Sequence, residues 1–214
     1  MLSTQSDYFF DYHEPSVKAL IEKIELLPDA REKVIALYYF VRDKWRYNPY
    51  IVSFRKEDYK VSRLIHRSDG NCLTKSLILI GLYRACGIPA NLLLAKVKNH
   101  IAVERLTEKF GTTEMAPHGM VNVQVDGNWF KCSPAFNKEL CEIYHVDPLE
   151  FDGESDSIFQ EFNKEGKEFM EYTENYGEFE EVPIQKIKEI FISTYPELMK
   201  AVDGDYFDIS KLAF

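Results

Sequence analysis

The segment 73–86, LTKSLILIGLYRAC, constrains the fold of this chain most strongly. Its apolar residues lie on most of the circumference of a helix rather than along a single stripe. Such a helix must be covered on nearly every side, so we expect it at the centre of a domain. Gly87 fits the position just after its last turn, and Pro89 prevents the helix from resuming.

The elements around this central helix predict an α+β fold. Two segments before it have helical apolar spacing, 15–27 and 29–45, and 46–68 forms an irregular connection rich in Arg, Lys and Tyr. After it we expect, in order, a buried strand (91–97), a short helix (101–110), an alternating strand (119–125), its returning partner (128–132) and a helix (184–192). Asp126-Gly127 is a strong signal for a tight hairpin. Helices followed by an antiparallel sheet are typical of α+β proteins.

Charge divides the 214-residue chain into two unlike parts. Its net charge is −9, which argues against a nucleic-acid partner. Residues 1–138 carry 20 basic and 15 acidic residues, whereas residues 139–214 carry 6 basic and 20 acidic ones. We interpret 1–214 as a single domain with a core of about 30–137 and an acidic C-terminal extension of about 139–214. We expect the extension to pack on the basic 42–67 segment.

No motif for a metal or cofactor is visible in the sequence. The four cysteines, Cys72, Cys86, Cys132 and Cys141, form no CxxC pair, and no EF-hand loop is present. The N-terminus lacks the features of a secretory signal, and no apolar run approaches the length of a membrane span. We therefore expect a cytoplasmic protein with reduced thiols, no bound cofactor or metal, and no membrane partner.

Cys72 stands at the predicted start of the central helix, directly after Asp69-Gly70-Asn71. Unpaired N–H groups and the positive end of the helix dipole favour thiolate over thiol at this position. The same N–H groups could stabilise the oxyanion of an attacked carbonyl. Cys72 is therefore a candidate nucleophile, although its position also fits a small buried residue.

A cysteine nucleophile needs a base, and His118 is the candidate. It follows Pro117 and opens the alternating strand, so its ring could project towards a neighbouring helix. Alone, His118 also fits a surface or capping histidine. His100 is a second possible base, with a helix-entry or surface role as the simpler interpretation.

The order of these motifs resembles the transglutaminase-like superfamily. The resemblance rests on Gly70-Asn71-Cys72, the run LILIGLYRACGIPA, His118 on a strand, Asn128-Trp129 and Ser133-Pro134. It implies a papain-like α+β fold, with the nucleophile at the N-terminus of a central helix packed on an antiparallel sheet. It also implies a Cys-His-Asp triad acting on amides or thioesters, with Cys72 as nucleophile and His118 as base.

The third triad position departs from the family pattern. Ser133 stands where the family usually has an acid, and a serine can orient an imidazole but cannot stabilise imidazolium as a carboxylate does. Asn137 is an alternative orienting residue, as in Cys-His-Asn enzymes. The passage 97–137 also resembles a bacterial branch of the superfamily with Ser or Thr at this position.

The sequence therefore predicts a transglutaminase-like cysteine enzyme of bacterial type. We expect it to cleave an amide or related acyl bond of a protein or peptide, as a hydrolase of peptidase or amidase type, through Cys72, His118 and Ser133. The alternative is a catalytically weakened or inactive domain that binds proteins or peptides. We also expect the acidic extension to limit access to Cys72.

Overall fold

The computed structural model describes residues 8–212, apart from the side chains of Val103 and Arg105. Its helices are α1 (Pro15–Ile21), α2 (Ala30–Lys44), α3 (Val61–Leu64), α4 (Cys72–Ala85), α5 (Val103–Phe110), α6 (Lys138–Tyr144), α7 (Ile184–Thr194) and α8 (Pro196–Ala201). Its strands are β1 (Arg46–Tyr47), β2 (Ile51–Ser53), β3 (Asp69–Gly70), β4 (Ala90–Asn99), β5 (Glu114–Val125), β6 (Asn128–Cys132), β7 (Met170–Phe179) and β8 (Tyr206–Asp208).

The apolar helix α4 lies at the centre, as the sequence predicts. Every residue from Cys72 to Arg84 is buried, and the helix packs against α2, β4 and β5. The side chain of Asn71 accepts a hydrogen bond from the Thr74 N–H at 2.9 Å and so caps the first turn. Gly87 adopts a φ of +74°, the left-handed geometry that ends helices of this kind.

A four-stranded antiparallel sheet, in the order β6-β5-β4-β7, forms the second layer. The hairpin between β5 and β6 turns at Asp126 and Gly127, with φ values of +51° and +85°. Two positive φ angles in a two-residue loop match the predicted tight turn. Together the central helix and this sheet confirm the α+β class and the papain-like core arrangement.

Strand β7 was not predicted, although it pairs with β4 along its whole length. The strand lies at an edge of the sheet and carries exposed glutamates, so its sequence lacks the apolar alternation of a half-buried strand. Helix α1 is also shorter than the predicted 15–27, ending at Ile21. The 46–68 segment contains two short strands, where an irregular connection was expected.

The residues after 138 pack on the 42–67 segment mainly through backbone pairing and apolar contacts. Strand β8 pairs antiparallel with β2, and the rings of Phe191 and Phe207 lie against Phe54. Charge contributes less than we expected. Arg42 pairs with Glu150 at 3.2 Å, whereas Arg63 pairs with Asp58 inside its own segment.

Across residues 8–212, none of the helices has both the length and the apolar content needed to cross a bilayer.

The Asn71 cap gives a first prediction. Asn71→Ala should lower the free energy of unfolding by about 1 kcal/mol, because the Thr74 N–H loses its acceptor, and Asn71→Asp should retain most of the stability. Urea unfolding measures both. Asp29→Ala removes the equivalent cap of α2 and serves as the matched control. Equal unfolding midpoints for Asn71→Ala and the wild type would contradict the role of the cap.

Candidate active site

Cys72 is the first residue of α4, and its sulfur lies against the backbone of β5. The backbone N–H groups of Gly119, Leu73 and Cys72 itself lie near the sulfur and lower the pKa of the thiol. The thiol also contacts the carbonyl oxygen of Pro117, at 4.0 Å. Sγ therefore lies close to the backbone on both sides of His118.

The protonation state of Cys72 differs from the sequence expectation. The side chain is only 6% exposed, and this burial raises the pKa of the thiol above its ordinary value. The three N–H groups act in the opposite direction and lower the pKa, but burial has the larger effect. The helix N-terminus alone therefore does not produce a thiolate, and the neutral thiol is favoured at neutral pH.

Gly119 makes the contact between strand and helix possible. A Cβ atom at this position would lie 2.7 Å from the Cα of Leu73 and 3.4 Å from the carbonyl carbon of Cys72. Any side chain at 119 would therefore push β5 away from the first turn of α4. The glycine in His118-Gly119 was not recognised from the sequence, and its position directly after the candidate base was the available signal.

His118 lies on β5 opposite Ala95 of β4, and its side chain is 2% exposed. Within the described part of the chain, neither ring nitrogen has a hydrogen-bond partner. Burial lowers the pKa of the imidazole to about 4, so the ring is neutral at pH 7. The backbone on either side of His118 therefore approaches Cys72, but among the described residues no hydrogen bond joins the two side chains, and they line different cavities.

His118 and Ser133 line one small cavity together with Phe136 and Met170. Its free volume, including the part open to solvent, is about 220 Å³. Ser133 is held through its backbone, which donates to the carbonyl of Ser157 at 2.9 Å and accepts from the Tyr38 hydroxyl at 3.1 Å. Ser133, the third predicted residue, therefore borders the same cavity as His118, but no hydrogen bond joins it to the His118 ring.

The alternative orienting residue, Asn137, has other partners. Its Oδ1 accepts the backbone N–H of Tyr47 at 3.0 Å, and its Nδ2 donates to the carboxylate of Glu139. These bonds fix the segment after β6 to β1. Asn137 therefore has a structural role here and does not orient His118.

Lys75 is a buried residue of this region that the sequence interpretation overlooked. Its Nζ donates to the carbonyls of Arg42 and Ala135, both at 2.8 Å, and burial lowers the pKa of its amine to about 7. The lysine thus ties the segment that carries Ser133 to the first turn of α4. A lysine in the first turn of a largely apolar helix was the signal that could have identified it.

His100, the second possible base, lies at the surface among acidic side chains. Its ring nitrogens are 3.2 Å from a Glu171 oxygen and 3.8 Å from a Glu168 oxygen. These three groups could together reach one cation, an arrangement common among exposed carboxylates. His100 therefore belongs to a surface ion-pair cluster with Glu168 and Glu171.

Cys72 lines a second, larger pocket, whose described lining does not include His118. Its free volume, including the part open to solvent, is about 610 Å³. The walls come from the first turn of α4, the 47–59 segment, α5, the start of β5 and α7, and the lining includes Tyr47, Phe54, Cys72, Leu106, Phe110, Met115, Ile187, Phe191 and Tyr195. Part of the acidic extension, helix α7, therefore forms a wall of the pocket that contains Cys72.

Comparison with known proteins identifies the family. The model of the transglutaminase-like superfamily matches residues 18–134, more than half of the chain. The chain therefore belongs to the transglutaminase-like superfamily, which confirms the resemblance of its motifs. No curated protein matches it. Among solved structures, a proposed cysteine protease from Cytophaga hutchinsonii is similar with a TM-score of 0.47 and 15% identity, over 62% of this chain and 40% of that one.

The buried imidazole makes folding depend on pH. An unfolded His118 protonates near its ordinary pKa of 6.5, whereas the folded one protonates near 4. The unfolded state thus binds more protons between these values, and folding stability must fall as pH falls from 6.5 to 4. We expect this loss to be about 3 kcal/mol smaller in His118→Gln, measured by urea unfolding from pH 7 to pH 4. Identical pH dependence in both proteins would contradict a buried, neutral His118.

The close approach at Gly119 gives a further prediction. Gly119→Ala should lower stability by about 1–3 kcal/mol and speed iodoacetamide alkylation of Cys72, because the strand must retreat and expose the buried thiol. Gly81→Ala is the matched control, since its Cβ would also meet an atom at 2.7 Å, on the Val61 side chain and away from Cys72. An equal increase in the alkylation rate in both variants would attribute the effect to global stability.

Proposed function

We propose that this protein is a cysteine enzyme that cleaves an amide or related acyl bond of a protein or peptide, with water as the final acceptor. The observation that carries the proposal is the position of the Cys72 sulfur. It lies at the N-terminus of the central helix, near three backbone N–H groups, and against the strand that carries His118. Membership in the transglutaminase-like superfamily is consistent with this chemistry.

In the first half of the reaction, the neutral ring of His118 turns towards the sulfur and accepts the thiol proton as Cys72 attacks the carbonyl carbon. The C–S bond forms, and the carbonyl oxygen takes the negative charge, near the N–H groups of Gly119 and Leu73. Imidazolium then gives its proton to the leaving amine as the C–N bond breaks. A thioester on Cys72 remains.

In the second half, water attacks the thioester carbonyl. His118 accepts a proton from the water, a C–O bond forms, and the C–S bond breaks. The proton returns to the sulfur, so the enzyme is regenerated and the acyl group leaves as a carboxylic acid. Ser133 lines the cavity around His118, and the proposal assigns its hydroxyl to holding the ring during this cycle.

The pKa directions suit a general-base mechanism better than a preformed ion pair. Burial favours the neutral thiol of Cys72 and the neutral imidazole of His118 in the resting protein. A neutral imidazole can accept a proton at pH 7, whereas an imidazolium cannot. The thiol is therefore activated only when substrate is bound and the proton is transferred.

Acylation by p-nitrophenyl acetate tests the proposal. We expect an acyl group on Cys72, detected by intact mass and peptide mapping, and at least about a 100-fold lower rate of acylation in His118→Ala. Cys86→Ala and His100→Ala are matched controls, because they remove the same residue types outside the site, and both should retain the wild-type rate.

The same acylation experiment distinguishes the enzymatic proposal from the alternative function, a non-catalytic binding domain. The unpartnered ring of His118 and the raised pKa of Cys72 also fit a domain that binds proteins or peptides without catalysis. That function predicts acylation of Cys72 no faster than of free cysteine, and no effect of His118→Ala in a folded protein. Such a result would overturn the enzymatic proposal.

A further inference from the structure

The geometry points to the substrate class of this site: we propose that the pocket beside Cys72 holds an apolar acyl group, with an aromatic or branched aliphatic chain. The inference rests on the proposed function, since it takes Cys72 as the attacking group. It goes further by assigning the pocket as the acyl subsite and Met115 as a residue that determines its specificity.

The lining of the pocket excludes a charged acyl chain. Phe54, Phe110 and Phe191 come from three different parts of the fold and converge on this space. Among the described residues, no Asp, Glu, Lys or Arg lines it. A charged chain would lose its hydration there and gain no ionic partner, which is costly. An apolar chain would lose little and bury its surface.

The polar atoms of the lining are almost all engaged within the protein. The Tyr59 hydroxyl donates to the carbonyl of Ser53. The Tyr195 hydroxyl donates to the carbonyl of Glu114 at 3.2 Å and accepts the N–H of Ala116 at 2.8 Å. These hydroxyls are therefore fixed by the protein and do not make the pocket a polar site.

Tyr47 is the exception in this lining. Its hydroxyl is buried and, within residues 8–212, has no hydrogen-bond partner. A buried hydroxyl without a partner is costly, and a bound molecule can supply the missing hydrogen bond. The pocket is therefore suited to an apolar group that brings a single polar atom, as the carbonyl of an acyl derivative does.

The size of the pocket also fits such a group. The space that water-sized molecules can occupy in it is about 70 Å³, which is room for several waters at about 10–15 Å³ each and suits one ring or branched chain. An acyl group whose carbonyl carbon is at the Cys72 sulfur can extend its chain between α5 and α7. A two-carbon acetyl group would leave most of this apolar wall without contact.

Met115 is the position at which charge can be introduced with least damage to the core. It lies on β5 opposite Val97, only partly buried, two residues before the Pro117 carbonyl that contacts the thiol. Its side chain lines the pocket, so a carboxylate there would face the bound acyl chain. Met115→Leu conserves the volume and apolar character and is the matched control.

The experiment compares two esters, p-nitrophenyl 3-phenylpropanoate and p-nitrophenyl acetate. The acylation rate of Cys72 by each is divided by the rate with free cysteine, which removes the intrinsic reactivity of the ester. We expect the corrected ratio to favour the phenylpropanoate by at least roughly 10-fold. Met115→Leu should retain this preference, and Met115→Glu should bring the ratio close to one, with folding verified by circular dichroism.

The outcomes separate this inference from the function on which it rests. Acylation of Cys72 by both esters, dependent on His118 but without a preference, would overturn the apolar subsite and leave the enzymatic proposal intact. A preference unchanged in folded Met115→Glu would overturn the assignment of the subsite to this pocket. Absence of acyl-Cys72 with either ester would overturn both proposals together.

Discussion

The packing of β5 on the first turn of α4 is the contact on which the candidate site depends. At Gly119 the strand backbone comes so close to Leu73 that no side chain fits between them. This approach places the Gly119 N–H and the Pro117 carbonyl at the Cys72 sulfur. It also brings the backbone of His118, the residue between them, close to the candidate nucleophile. The remaining sheet and helices hold these two elements in register.

Burial is the second physical factor, and it acts on both reactive groups in the same way. It raises the pKa of Cys72 and lowers that of His118, so both are neutral at rest. Helix α7 contributes to the burial of Cys72 by forming a wall of the pocket that this residue lines. The acidic extension therefore shapes the pocket through its apolar residues, and none of its described charged residues lines it.

The elements that the sequence predicted share a strong local signal. Helix α4 was recognisable from its continuous apolar surface, and the hairpin from Asp126-Gly127, because both depend on neighbouring residues alone. Strand β7 was missed because it is stabilised by pairing with β4, a distant part of the chain, and its exposed side chains need no apolar pattern. The role of Lys75 was missed for a related reason, since its partners are carbonyls of other elements.

The sequence by itself determined the family, the α+β class and the order of the candidate residues, because motif spacing and periodicity are local properties. Tertiary structure decided their chemical state. It engaged Asn137 with Tyr47 and Glu139, placed Ser133 in the cavity of His118, and reversed the expected pKa direction of Cys72. The pKa of a buried group depends on all the residues packed around it, and no short stretch of sequence specifies those residues.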